Sequence, residues 1–211
     1  MSSDSPISPT VTTPPLDPPV RLGIMASGTG SNFVALCDAV SDRTLSAEIA
    51  VLIYNNPGAL VAERAKERNV PAVLLDHRQY KPREELDRAI VAELQRRNVE
   101  WVVMAGWMRI VTPLLIEAFR DRALNIHPSL LPSFKGAHAV ENALDAGVKI
   151  TGCTVHYVRE QVDSGPIVMQ AAVPVLPDDT RDTLHARIQA QEYRILPQAI
   201  ALAVHRSRSG S

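Results

Sequence analysis

The chain has 211 residues, with 22 Lys+Arg against 23 Asp+Glu for a formal net charge of -1, and it is 45% hydrophobic but only 4% aromatic. That size fits one large domain, or a domain with a small appendage, able to bury a sizeable core; the balanced charge excludes a global basic field for nucleic acid, and the few aromatics exclude a stacking platform for single strands. Two distant cysteines, Cys37 and Cys153, exclude a disulfide framework and a CxxC-type zinc cluster, and no apolar run reaches the ~18 residues of a membrane span, so a soluble, cytoplasmic enzyme or binding protein is expected.

Residues 1–19 hold Pro6, Pro9, Pro14, Pro15, Pro18 and Pro19, cannot propagate a helix, and read as a disordered tail. The tail has no Lys or Arg and no continuous apolar core, so neither a secretory signal nor an Arg-rich transit peptide is expected. Val20–Ala26 reads as a strand, and Ser31 opens a helix. Ala47–Tyr54 is a second apolar strand, Pro57-Gly58 a turn, and Ala59–Asn69 a helix. Ala72–Leu75 is a short strand and Glu84–Asn98 an amphipathic helix with Leu86, Ile90, Val91 and Leu94 on one face. Trp101–Ala105 is a strand, Pro113–Arg120 a helix with proline in its first turn, and Ala123–Ile126 a strand. A helix over Ala137–Ala146 precedes two long strands, Ile150–Val158 and Ile167–Val175, joined by a polar loop. A final helix runs from about Thr180 to Val204. Alternating strands and helices predict βαβ units. The expectation is an α/β fold with a mainly parallel, Rossmann-like sheet flanked by helices, a C-terminal β-loop-β extension and a final long helix. One domain covers residues 20–204, and residues 205–211 are expected to fray.

The first strand runs into Ser27-Gly28-Thr29-Gly30-Ser31-Asn32 and then a helix. Small residues and a helix N-terminus suit an anion. The dinucleotide fingerprint is incomplete, because Phe33 stands where its third glycine belongs, and the second strand ends in Asn55-Asn56 with no acid for a ribose. NAD is therefore not expected, and Walker A is absent. The loop is read either as a phosphate cradle or as a tight turn in which Ser31 or Asn32 caps the helix.

Asn125 and His127 stand two apart at the end of a strand and so face one side, with Pro128 holding the residue before it extended. Asp163 lies in a polar loop before the turn Ser164-Gly165-Pro166. An amide, an imidazole and a carboxylate suit acyl-type transfer. The amide stabilises an oxyanion, the imidazole moves a proton, and a nearby carboxylate favours the charged imidazole. No G-x-S-x-G nucleophile and no H-E-x-x-H metal motif is present. On these residues alone, a hydrogen-bonded strand-end histidine and a turn aspartate stay open as the plainer reading.

The runs Asn125–Gly136, Thr151–Val158 and Val162–Ile167 together resemble the folate-dependent formyltransferase superfamily and, within it, the phosphoribosylglycinamide formyltransferases of purine synthesis, over about residues 20–203. The resemblance implies that 10-formyltetrahydrofolate is the formyl donor, that glycinamide ribonucleotide is the acceptor, and that no metal is required. It implies no nucleic-acid or membrane partner and leaves a homodimer open. Asn125, His127 and Asp163 match its catalytic trio. Gly30, Ser31, Asn32, Pro128, Gln189 and Glu192 match positions that bind the ribonucleotide. Arg83, Met108, Arg109, Ile110, Val111 and Asn125 match folate contacts, as does the loop Val158, Arg159, Glu160, Gln161, Val162 and Asp163. Lys135 gains no role from it.

Beside the resemblance, core packing stays open for Met108 and a surface position for Arg109, and without it Glu192 reads as a solvated residue of an amphipathic helix. His156 reads as a satisfied structural histidine, and His77, His185 and His205 as surface residues. Three rivals are weighed. A formyltetrahydrofolate hydrolase resembles Asn-x-His-His-Ser at the site, where this chain has Pro128. A methionyl-tRNA formyltransferase needs a further C-terminal domain and a basic surface, and this chain ends at 211 with net charge -1. A non-catalytic nucleotide-binding module does not need all three catalytic positions.

Overall fold

The structure, a computed structural model, describes residues 6–10 and 13–210. In chain order the elements are β1 (Ile7–Ser8), β2 (Val20–Ala26), α1 (Ser31–Ser41), β3 (Ala47–Tyr54), α2 (Val61–Glu67) and β4 (Ala72–Leu74). A 3-10 turn, His77–Gln79, leads to α3 (Arg83–Arg96), β5 (Trp101–Met104), α4 (Pro113–Ala118) and β6 (Ala123–His127). Then come α5 (Ala139–Asp145), β7 (Ile150–Tyr157), β8 (Ile167–Pro174) and α6 (Arg181–Ser209). They fall into two compact units, one of residues 15–125 and one of residues 126–210 with the described part of 6–14.

The unit of residues 15–125 is a parallel sheet in the order β6-β5-β2-β3-β4. Its inner strands β2, β3 and β5 are apolar runs buried along most of their length, as strands covered on both faces are. Val20, Leu22, Ile24 and Met25 of β2 and Val51, Leu52 and Ile53 of β3 are fully buried. Each such side chain contributes about 1.5–3 kcal/mol by leaving water. Helix α3 buries Leu86, Ile90 and Leu94, the four-residue spacing read from the sequence. It comes close to β2 at Gly23, where a Cβ would lie 2.3 Å from Leu94 Cδ2. Helices α2 and α3 end earlier than expected. Asn69 and Asn98 turn left-handed, at φ 55° and 53°, a conformation asparagine tolerates and which stops a helix.

In the other unit β7 and β8 pair antiparallel from Ile150↔Pro174 to His156↔Ile167, the expected β-loop-β extension, and α6 packs on both. Thr180 starts α6 through a reciprocal capping box with Thr183. The helix continues through residues expected to fray and ends at Ser209. Arg206 and Arg208 suit the negative end of its dipole, and left-handed Gly210 returns its N–H to the Arg206 carbonyl. Residue 211 lies outside the described residues.

The expectation for residues 1–19 also needs correction. Ile7–Ser8 pairs antiparallel with Ala171 and Gln170 of β8, the Ala172 N–H donates to the Pro6 carbonyl at 3.0 Å, and His205 Nε2 meets the Pro14 carbonyl at 2.7 Å. In the unit of residues 15–125, Leu16 is buried and its carbonyl accepts from Ser46 Oγ. Proline-rich composition forbids a helix but suits an edge strand, and composition does not show that β8 offers an edge to pair with. Residues 1–5 and 11–12 lie outside the described residues. Among those described, no helix is long and apolar enough to cross a membrane.

A close backbone approach in the unit that holds β7 and β8 gives a test. A Cβ on Gly152 would sit 1.9 Å from the Ala171 carbonyl oxygen, and a backbone atom cannot swing away as a side-chain end can. Gly152→Ala should cost about 1–3 kcal/mol of stability. Urea unfolding should show this as a lower midpoint at an unchanged slope.

Candidate active site

In the unit of residues 15–125, β2 delivers the chain into the glycine-rich turn. Gly30 is the N-cap of α1 at φ 76°. A Cβ there would lie 2.2 Å from Val61 Cγ2, so both conformation and space demand glycine. The Val61 N–H ties the turn to α2 through the Gly28 carbonyl at 3.2 Å. The N-cap position falls to Gly30 rather than to Ser31 or Asn32: Ser31 is the first helical residue, and Asn32 is buried in the first turn. Arg83 is exposed at the start of α3. Met108 is 72% and Ile110 55% exposed, so Met108 is not core, whereas Val111 is buried and Arg109 half-buried.

Asn125 and His127 both lie on β6, half-buried and buried respectively. In the unit that contains His127, that ring sits between two acceptors. Nε2 is 2.8 Å from the Phe134 carbonyl oxygen and Nδ1 is 3.4 Å from Asp163 Oδ2. The same carboxylate oxygen accepts the Gly136 N–H at 2.8 Å, and Oδ1 lies 3.4 Å from His156 Nε2. His156 Nδ1 is in turn 2.9 Å from the Tyr157 carbonyl. The structure thus brings His127 and Asp163 together and adds His156, which the sequence offered only as structural. Burial works to raise the Asp163 acid. The His156 hydrogen bond, the Gly136 N–H and the charges on His127 and His156 outweigh burial and hold the carboxyl below its ordinary value.

The turn bearing His127 is braced from the strands behind it. Thr154 Oγ1 donates to the Ser129 carbonyl at 2.7 Å and accepts the Leu131 N–H at 3.1 Å. Gln170 Nε2 donates to both Thr154 Oγ1 and the Leu131 carbonyl. Pro128 is half-buried. In the loop after β7, Val158 is buried and the Arg159 guanidinium lies over the Tyr157 ring at 5.7 Å, while Glu160, Gln161 and Val162 are exposed. Gly165 lets this loop turn back, since a Cβ there would meet the Tyr157 carbonyl at 1.8 Å.

On α6, Gln189 is half-buried, and Glu192 is only 4% exposed, contrary to the solvated position its helix suggested. Its charge reaches Cys153, whose thiol is pushed up first by burial and then by Glu192. His77, His185 and His205, read as surface residues, are all partly buried; burial lowers His185. Among the described residues, no group of three or more His, Cys, Asp and Glu side chains is placed to hold a metal.

The family model described as formyl transferase matches residues 20–200. The chain belongs to the formyl transferase family. It is 38% identical over 180 residues to phosphoribosylglycinamide formyltransferase of Bacillus subtilis, covering 85% of this chain and 92% of that protein. It is 43% identical over 182 residues to the human trifunctional purine biosynthetic protein adenosine-3, covering 86% of this chain but 18% of that protein. Against the trifunctional relatives it matches, the chain thus spans a small part of their length, 14% in Drosophila melanogaster. Glycinamide ribonucleotide transformylase 1 of Symbiobacterium toebii superposes with a TM-score of 0.88 at 43% identity, over 90% of this chain and 91% of that one.

The lowered Asp163 carboxyl has a pH signature. Its ordinary unfolded value is near ~3.9. A folded value below that stabilises the fold above the unfolded value, and the contribution is lost as pH falls through the folded value. Asp163→Asn should therefore unfold at lower urea than the parent at pH 7. The difference between the two should shrink as the pH falls below about 4. A difference that stays constant from neutral to acid pH would show that the ionised carboxylate does not hold this cluster.

Proposed function

We propose that this protein transfers a formyl group from 10-formyltetrahydrofolate to the amine of glycinamide ribonucleotide, a step of purine synthesis. The observation that carries this reading is the buried pairing of His127 with Asp163, beside Asn125 on the same strand end, in a chain of the formyl transferase family. The amine nitrogen bonds to the formyl carbon and the carbonyl oxygen becomes an oxyanion. The bond from that carbon to the folate nitrogen then breaks, the amine loses one proton, and the folate nitrogen gains one. Asn125 and His127 stabilise the oxyanion, and His127 carries the proton toward the leaving nitrogen. In the structure its Nε2 faces the Phe134 carbonyl, so the substrate oxygen takes that acceptor's place. Asp163 holds the ring through Nδ1 and balances its charge.

No covalent enzyme intermediate forms. Both thiols are buried, Cys37 is pushed up to about 11 mainly by burial, and Cys153 is pushed up further, which leaves neither as a thiolate nucleophile. The turn Gly30-Ser31-Asn32 takes the ribonucleotide phosphate, and Pro128, Gln189 and Glu192 serve the same substrate. Arg83, the Met108–Val111 segment and residues 158–163 serve the folate. The reaction requires no metal.

Assay of the purified chain with both substrates tests the reading. Product should form only with the ribonucleotide present and should persist in EDTA. Formate released from the folate without the ribonucleotide would identify a hydrolase instead. Asn125→Ala should lower kcat by about 10²–10³-fold, the usual cost of one oxyanion donor, with both KM values little changed. A loss confined to KM would remove Asn125 from the chemistry.

A further inference from the structure

Between β5 and α4 the chain carries two large apolar side chains outward, Met108 at 72% and Ile110 at 55% exposure. Left free, such a segment would fold its apolar atoms inward. Instead its backbone is fixed at both ends by buried side chains of the same unit. At the start, Ser27, 5% exposed, donates its N–H to the Gly106 carbonyl at 3.0 Å and accepts the Met108 N–H on Oγ at 2.9 Å. At the end, Asp87 of α3, 3% exposed, accepts the Thr112 N–H on Oδ2 at 2.5 Å. The next residue is Pro113, which has no N–H, so Thr112 is the last backbone donor before α4.

A buried carboxylate is a costly way to hold one backbone N–H. Taking its charge out of water costs several kcal/mol unless it is compensated. Burial raises the Asp87 acid, with the Thr112 N–H as the leading opposing interaction. A residue of this kind in a helix whose other inward positions are Leu86, Ile90, Val91 and Leu94 is not explained by core packing. What the arrangement achieves is a short span from Met108 to Thr112 that is tied at both ends while Met108 and Ile110 stand in solvent.

We propose that Asp87 is a positioning residue for the formyl donor: with Ser27 it clamps the exposed Met108–Ile110 ledge in one conformation, ready to meet the apolar face of a planar bicyclic ligand. The inference rests on the formyl-transfer reading above. Preorganising a contact face lowers the ordering cost of binding, so loss of the clamp is felt in donor affinity first.

The test compares Asp87→Ala, Asp87→Asn and Ser27→Ala in the full chain, with KM for the formyl folate, KM for glycinamide ribonucleotide and kcat measured separately. Asp87→Ala should raise the donor KM about tenfold, the size expected for losing one charge-assisted hydrogen bond, and leave the ribonucleotide KM within about twofold. Asp87→Asn keeps an acceptor for Thr112 and should recover most of the loss, which a merely structural defect would not do. Hydrogen exchange at the Met108 and Thr112 amides should quicken in Asp87→Ala and stay slow in Asp87→Asn. If Asp87→Ala does not fold, Asp87→Asn and Ser27→Ala decide: a donor KM unmoved by Ser27→Ala overturns the proposal. Equal changes in both KM values, or unchanged exchange, also overturn it. A parent protein that transfers no formyl group would instead remove the reading of function, and with it the donor role; exchange would then report on the clamp alone.

Discussion

A carboxylate withdrawn from water must be compensated by whatever surrounds it, and Asp163 is compensated from three directions at once. The imidazoles of His127 and His156 flank its two oxygens and the Gly136 N–H caps one of them. These three partners come from β6, from β7 and from the turn between β6 and α5. One charge therefore fixes the relative position of two strand ends and a loop. The orientation of His127 is a by-product of that arrangement, since the ring is gripped at Nδ1 by the carboxylate and at Nε2 by the Phe134 carbonyl. The hydroxyl and amide behind it, Thr154 and Gln170, keep the 129–131 turn from yielding.

Much of this was legible because strand chemistry is local. Two side chains two residues apart at a strand end share a face wherever that strand goes, so Asn125 and His127 could be paired from spacing alone. Continuous apolar runs gave the parallel strands, and a run of small residues before a helix gave the Gly30 turn. Helix ends were less legible, because a left-handed asparagine such as Asn69 or Asn98 looks like any polar residue of an exposed face.

One reading failed for a physical reason. Helical periodicity alone assigns Glu192 to solvent, yet it is buried; Asp87, to which the pattern gave no role, is buried too, whereas His156 is the buried, hydrogen-bonded histidine that its apolar strand implies. Hydrophobic patterning assumes that polar groups go outward, and it fails where a fold pays desolvation to hold a charge in place. For Asp87 a signal lay in its company, since it follows Leu86 on the inward face of α3. The pairing of Ile7–Ser8 was out of reach for another reason, since it depends on an edge made by residues more than 160 positions away.

The burial of both thiols has a consequence for how the protein meets its chemical surroundings. Oxidants and alkylating agents attack the thiolate, and a thiol pushed up to about 11 presents only about one thiolate in ten thousand at pH 7. Neither Cys37 nor Cys153 is thus equipped to sense peroxide or to exchange with glutathione. A single cysteine introduced on an exposed helix face would be the one reactive thiol, a clean point of attachment for a fluorophore or spin label with the native cysteines left in place.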